Sequence, residues 1–304
     1  MTPVTLLTGF LGAGKTTLLN RLLTAEGAPP TAVVVNEFGD IGIDGALVVG
    51  AEDRVIELRN GCICCEIRAD LQGAFDALRA AKARWWRPAR FERIVVETSG
   101  LASPGPVVAT LGLAPDLRLA GIVCLVDAAN IRRQLADHPE VPAQLAAADR
   151  VLLNHIDRAT EPTDDLLAWV RLAAPLARCI ATLRAEVPGD FLSDGEPLHV
   201  PAPLSHAHTH GVQTWSFATE AAMDLPKLKM FLQFVAARPR TQLLRLKGIV
   251  RCRDHPAPVV AHGIHQWLEL GPGPGQPPVR STVVLIGRGF DGPTLQRAWD
   301  VASG

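Results

Sequence analysis

The stretch TGFLGAGKTT, Thr8–Thr17, constrains the fold of this chain more than any other. It follows an apolar run, PVTLLTG, and opens an amphipathic one. Its Gly9-x-x-x-x-Gly14-Lys15-Thr16 spacing is that of a phosphate-binding P-loop. Glycines let backbone N–H groups turn inward toward phosphate oxygens, and the start of the following helix adds its positive end. Gly12, Ala13, Gly14, Lys15, Thr16 and Thr17 are therefore expected around a nucleoside triphosphate. Lys15 is the expected catalytic cation on the β- and γ-phosphates, and the Thr16 hydroxyl the expected ligand of Mg²⁺.

The chain beyond this loop extends the pattern. TAVVVN, DRVIEL, ERIVVE, AGIVCLVD, RVLLN and RCIAT read as further strands, with helical patterns between many of them, such as 69–83 and 163–172. Near-continuous apolar strands separated by helices predict an α/β domain, a parallel sheet covered on both faces, over residues 1–184. From 185 to 210 the chain is rich in Pro, Gly, Asp and His, as in a linker. Strand runs with short connections, a helix at 225–237 and a last helix at 293–301 predict a smaller α+β domain over 211–304. A length of 304 residues suits two domains, and a net charge of -1 gives no electrostatic case for nucleic acid or anionic membrane. The beginning of the sequence lacks the basic region of a secretory signal, so a cytoplasmic location is the expectation.

Acids at strand ends supply the rest of a nucleotide site. Glu97 closes ERIVVE and precedes Thr98, Ser99 and Gly100. It is placed to hold Mg²⁺ and orient a nucleophilic water, with Gly100 in a loop suited to sensing the γ-phosphate. RVLLNHID ends in Asn154, His155 and Asp157, a variant of the Asn-Lys-x-Asp stretch with which GTPases commonly read guanine. Together with the P-loop it favours GTP over ATP, although His155 lacks the long stem of the usual lysine. NEFGDIGID, Asn36–Asp44, carries Glu37, Asp40 and Asp44 around two glycines. These acids can ligate cations, and a solvated turn is an equal reading for Asp44.

Half of the six cysteines, Cys62, Cys64 and Cys65, fall in NGCICCEIR. Soft thiolates select Zn²⁺, Cu⁺ and similar ions over Mg²⁺, and two or three of them with an acid or water make a tetrahedral zinc or cobalt site. A redox pair at Cys62 and Cys65, a structural zinc knuckle and inert buried thiols are the alternatives. Cys124, Cys179 and Cys252 read as buried and inert. His206, His208 and His210 alternate along HAHTH and could gather a divalent ion, or simply belong to a polar linker. His262 and His265 read as part of a surface, and Trp85 and Trp86 as packing at a helix end.

Taken in order, GFLGAGKTT, NEFGDIGID, NGCICC, ETSG and the guanine-motif variant resemble the CobW-type P-loop GTPases. LLRLKGIVR, VVAHGIHQW and STVVLIGRGFD are similar to that family's C-terminal domain, so the resemblance runs nearly end to end. It implies a GTP- and Mg²⁺-dependent metallochaperone that carries Zn²⁺ or Co²⁺ to a client metalloprotein. It places the metal on Cys62, Cys64 and Cys65, with an acidic ligand at Asp40. A homodimer is a further expectation. A P-loop kinase of a small molecule and a nucleotide-dependent regulatory switch without metal transfer are the competing functions.

Overall fold

The computed structural model describes residues 1–36, 55–58, 66–83, 91–188, 208–209, 211–238 and 242–304. The chain divides into two compact units, Met1–Gly195 and Glu196–Gly304. The first is a seven-stranded sheet: β1 (Thr2–Gly9), β2 (Thr31–Asn36), β3 (Val55–Leu58), β4 (Arg93–Thr98), β5 (Leu117–Asp127), β6 (Arg150–Asn154) and β7 (Arg178–Ala181). Their spatial order is β3-β2-β4-β1-β5-β6-β7, and every pairing is parallel. Helices α1 (Lys15–Thr24), α2 (Glu66–Ala83), α3 (Pro104–Leu111), α4 (Ile131–Asp137), α5 (Glu140–Ala147) and α6 (Thr163–Ala173) connect the strands. This is the P-loop NTPase fold that the apolar strand runs predict.

The strands are apolar on both faces because both faces are covered. Leu7, Val33, Val95, Val123 and Leu152 enter one core cluster with Leu18 and Leu19 of α1. Cys124, Val126, Val151 and Leu153 enter another with helices α4 to α6. Since every strand runs the same way, the segments after Gly9, Asn36, Leu58, Thr98, Asp127, Asn154 and Ala181 all leave from one sheet edge. That edge carries the segments in which the sequence places its acids, its phosphate loop and its cysteines.

Glu37, Asp40, Asp44, Cys62, Cys64, Cys65, Trp85, Trp86, His206 and His210 lie outside the described residues. The expected linker, 185–210, has Ala185 fully buried within the first unit and His208–Thr209 as strand β8 of the second.

The second unit pairs β8 with β9 (Val212–Thr219), β10 (Gln242–Val250), β11 (Val259–Ile264), β12 (Trp267–Pro272) and β13 (Ser281–Arg288). The antiparallel order is β12-β11-β10-β13-β9-β8. Helices α7 (Leu225–Ala237) and α8 (Gly292–Ser303) cover one face. Asp224 and Asp291 cap them, each accepting the backbone N–H three residues on, and a proline follows within the first turn of each. Phe217, Phe231 and Trp299 pack ring against ring at 5.3–5.7 Å in this core. The run APVVAHGIHQWLEL forms the β11–β12 hairpin. His265 turns it with φ 52, a value usually reserved for Gly or Asn, so the sequence carries no ordinary turn signal there.

Trp299 is 2% exposed and touches both phenylalanines. Trp299→Ala is expected to cost about 3–5 kcal/mol by leaving a cavity in this core. Urea denaturation of the full chain, followed by circular dichroism, checks this.

Candidate functional site

Gly9 ends β1 with φ 135, and Gly12 and Gly14 follow at φ 74 and φ 101. Gly9 is required on two grounds. L-residues rarely adopt its backbone conformation, and a Cβ there would stand 2.2 Å from the Leu125 carbonyl oxygen on β5. Gly14 is the N-cap of α1, and a Cβ on it would lie 2.5 Å from Asn154 Nδ2. The loop is thus pressed against its neighbouring strands. Lys15 Nζ donates to the carbonyls of Gly9 at 3.0 Å and Phe10 at 3.3 Å, which stretches its side chain back across the loop.

Thr16 and Glu97 meet. The Thr16 hydroxyl donates to Glu97 Oε1 at 3.0 Å, joining the first turn of α1 to the end of β4. Glu97 is 3% exposed, and β4 lies directly beside β1, with Leu7 opposite Glu97. Thr98 Oγ1 donates to the Leu7 carbonyl at 3.2 Å. Gly100 then approaches the phosphate loop so closely that a Cβ would lie 2.6 Å from Leu11 N.

Asn154 is fully buried, and its amide is used at both ends. Nδ2 donates to the Ala13 carbonyl at 3.0 Å, and Oδ1 accepts the Ala185 N–H at 2.9 Å. It therefore fastens the phosphate loop to the segment after β7. His155 takes a left-handed conformation, φ 59, and its Nδ1 lies 3.3 Å from Asp127 Oδ1 at the end of β5. Asp157 is exposed in the turn Ile156–Arg158. Among the described site residues, Gly12 to Thr17, Glu97, Gly100 and Asn154 to Asp157 are thus brought to one sheet edge.

Three contributors escaped the sequence reading. Asp127 closes an apolar strand run as Glu97 does, and that signal could have found it. Gln144 is a single amide in helix α5, buried from Val141 to Ala147, where a polar residue amid apolar neighbours is itself informative. Ala185, φ 56, follows Arg184 at φ 49, and its contact with Asn154 has no sequence signal.

Burial raises the Cys124 and Cys179 thiols to about 12, and raises that of Cys252 as well. Protonated thiols neither attack nor ligate soft metals well, which agrees with the expectation that these three are inert. Among the described residues no group of three or more His, Cys, Asp or Glu is arranged to hold a metal, and no helix is long and apolar enough to cross a membrane. A cleft of about 920 Å³ lined by Pro3, Thr5, Arg21, Glu26 and Arg93 lies near the other end of β1 and includes none of the expected site residues.

Residues 3–180 match the CobW/HypB/UreG nucleotide-binding domain, and residues 212–303 match the cobalamin synthesis protein cobW C-terminal domain. The chain belongs to the CobW/HypB/UreG family. Zinc chaperone YjiA of Escherichia coli is 37% identical over 183 residues, 57% of this chain and 56% of the relative, so that the match spans about half of the relative's length. Zinc chaperone CobW of Pseudomonas aeruginosa is 31% identical over 313 residues, 86% of this chain and 80% of the relative. The crystal structure of Zn(II)-bound YjiA GTPase from E. coli superposes with a TM-score of 0.70 at 23% identity, covering 100% of this chain and 99% of that one. That likeness extends the shared fold through both units of the CobW-family chain.

Gly9→Ala is expected to abolish GDP binding measured by calorimetry. Gly27→Ala, with φ 71 but open space around it, should cost about 1–2 kcal/mol and leave binding unchanged. In a thiol-reagent assay at pH 8, Cys124 and Cys179 are expected to react only after unfolding. Their raised values also fix a sign. From the unfolded value of 9.0 up to about 12 the unfolded chain loses protons that the folded chain keeps, so these thiols make stability fall with rising pH in that window.

Proposed function

We propose that this CobW-family chain is a GTP-hydrolysing metallochaperone that binds zinc or cobalt at Cys62, Cys64 and Cys65 and delivers it to a client protein. The observation that carries the nucleotide half is the Thr16–Glu97 bond at the mouth of a glycine-strained phosphate loop. A hydroxyl and a carboxylate 3.0 Å apart are hard oxygen donors, a chemistry that fits Mg²⁺. Bound to them, Mg²⁺ would neutralise charge on the β- and γ-phosphates as the bond breaks. Lys15 would exchange its loop carbonyls for phosphate oxygens and hold them in place. Glu97, fixed by Thr16, would orient the attacking water, while the Gly100 loop would feel the γ-phosphate. Asp157 would accept from the guanine N1–H and amine, and His155, steadied by Asp127, would pack on the base.

The metal half rests on placement in the chain and on the relatives. Cys62, Cys64 and Cys65 belong to the connection between Leu58, at the carboxyl end of β3, and Glu66, the first residue of α2. Strand β3 stands three strands from β1, about 14 Å at the usual strand spacing. Glu37 and Asp40 follow the carboxyl end of β2, the strand between β3 and β4. Thiolates with one of these acids would make an open site suited to release, for an ion that is cargo and not resident. Relatives named zinc chaperones favour zinc over cobalt. GTP would draw the two loops together, and hydrolysis would loosen them. Linkage then requires metal to tighten GTP by the factor by which GTP tightens metal.

Titration with Zn²⁺ and with Co²⁺ tests this on protein holding Mg²⁺ and either a non-hydrolysable GTP analogue or GDP. Thiolate-to-cobalt absorption and about 10-fold tighter metal binding with the analogue, within the usual range of coupling, are expected. Both should be lost in Cys64→Ser/Cys65→Ser. Equal affinity in the two nucleotide states would remove the switch. GDP and inorganic phosphate as the only products, with no phosphorylated acceptor, would exclude the kinase alternative.

A further inference from the structure

Gln144 lies on α5, outside every motif that the sequence supplies, and is 1% exposed. Its Nε2 donates to two carbonyls of one short loop, Gly100 at 3.0 Å and Ala102 at 3.0 Å. This is the loop that leaves β4 after Glu97 and enters α3. We infer that Gln144 is a positioning residue for nucleotide-state discrimination: it fixes the peptide planes of the Gly100–Ala102 loop against the phosphate loop. The inference rests on the GTPase reading above and adds a residue that no motif contributes.

The geometry gives the reason. A trans peptide is planar, with its C=O and N–H pointing in opposite directions. With the Gly100 carbonyl drawn to Gln144, the N–H of Leu101 must point away from α5, and it faces the Ser99 hydroxyl at 3.5 Å. The Ala102 N–H donates to the Ser99 carbonyl at 3.0 Å and closes the turn. On the other side, Gly100 leaves no room for a Cβ beside Leu11 of the phosphate loop. The loop is thus clasped between a buried amide and the residues that cradle phosphate. Its short length leaves the backbone free to flip once the amide is gone, because glycine tolerates either orientation.

The amide's other end marks this as a two-way clasp. Gln144 Oε1 is buried and has no hydrogen-bond partner among the described residues. A buried acceptor left unpaired is costly. A flip of the Gly100–Leu101 peptide would turn the Leu101 N–H toward Oε1 and satisfy it, so the glutamine can hold a second loop position as well as the present one. A residue that only filled space would need neither end.

The test compares Gln144→Glu, Gln144→Leu and the wild-type full chain, using fluorescent GDP, a non-hydrolysable GTP analogue and GTP turnover. Glutamate sets an oxygen against two carbonyls. Leucine removes both ends with little change in size. The expected result is GDP affinity within about 2-fold of wild type, with analogue affinity lowered about 10-fold in both variants. A loss of this size is one coupling step of the usual magnitude. In turnover, kcat should fall in Gln144→Glu more than KM changes. Thermal melts of the GDP-bound proteins report folding separately, and Gln144→Leu keeps the test intact if the glutamate variant does not fold. Parallel losses for GDP and analogue, or no loss for either, would overturn the role of Gln144 and leave the GTPase reading standing. Failure of the wild-type chain to bind either nucleotide would overturn both.

Discussion

One buried side-chain amide holds the nucleotide edge of this protein together. Asn154 reaches from the end of β6 to the Ala13 carbonyl in the phosphate loop and accepts the N–H of Ala185 beyond β7. Without it, a carbonyl and an amide would be left buried and unpaired, each costing about 1–3 kcal/mol. The N–H held by Asn154 is that of Ala185, which with Arg184 before it has left-handed backbone. The phosphate loop owes its shape to this support as much as to its glycines. Gly14 must be glycine partly because Asn154 occupies the space a side chain would need.

Around that tie the parallel sheet does the gathering. The residues proposed to bind and hydrolyse nucleotide come from segments spread between Gly9 and Asp157, yet each follows the carboxyl end of a strand. Parallel pairing alone brings them to one edge. The contacts that finish the site are then short: Thr16 to Glu97 across neighbouring strands, His155 to Asp127 across the next pair, and Gln144 to the loop between them. Much of the structural support comes from residues that would touch no nucleotide.

What was legible in the sequence follows the range of the interactions. The phosphate loop, the strand runs and the strand-end acid Glu97 are local patterns, set by glycine conformation and by burial on two faces. The placement of Lys15, Thr16 and Glu97 at one sheet edge was readable for that reason, and so was the burial of Cys124 and Cys179, each set singly in an apolar run. Asn154 was read as part of a base-recognition stretch, while its scaffold bonds to Ala13 and Ala185 depend on residues 141 and 31 positions away. The same applies to Gln144, whose partners lie 42 and 44 positions away. The hairpin at His265 has no local signal, because its turn is made without the residues that usually make one.

The second unit's sheet has two poor ends. β8 is two residues long, and β12 closes with Gly271 and Pro272 before a run of further prolines. Proline lacks the amide hydrogen that strand pairing needs, and so short a strand offers little backbone to copy. Neither border is a good template for another chain to add on. Among the described residues, addition of a further strand at either border of this sheet is therefore disfavoured.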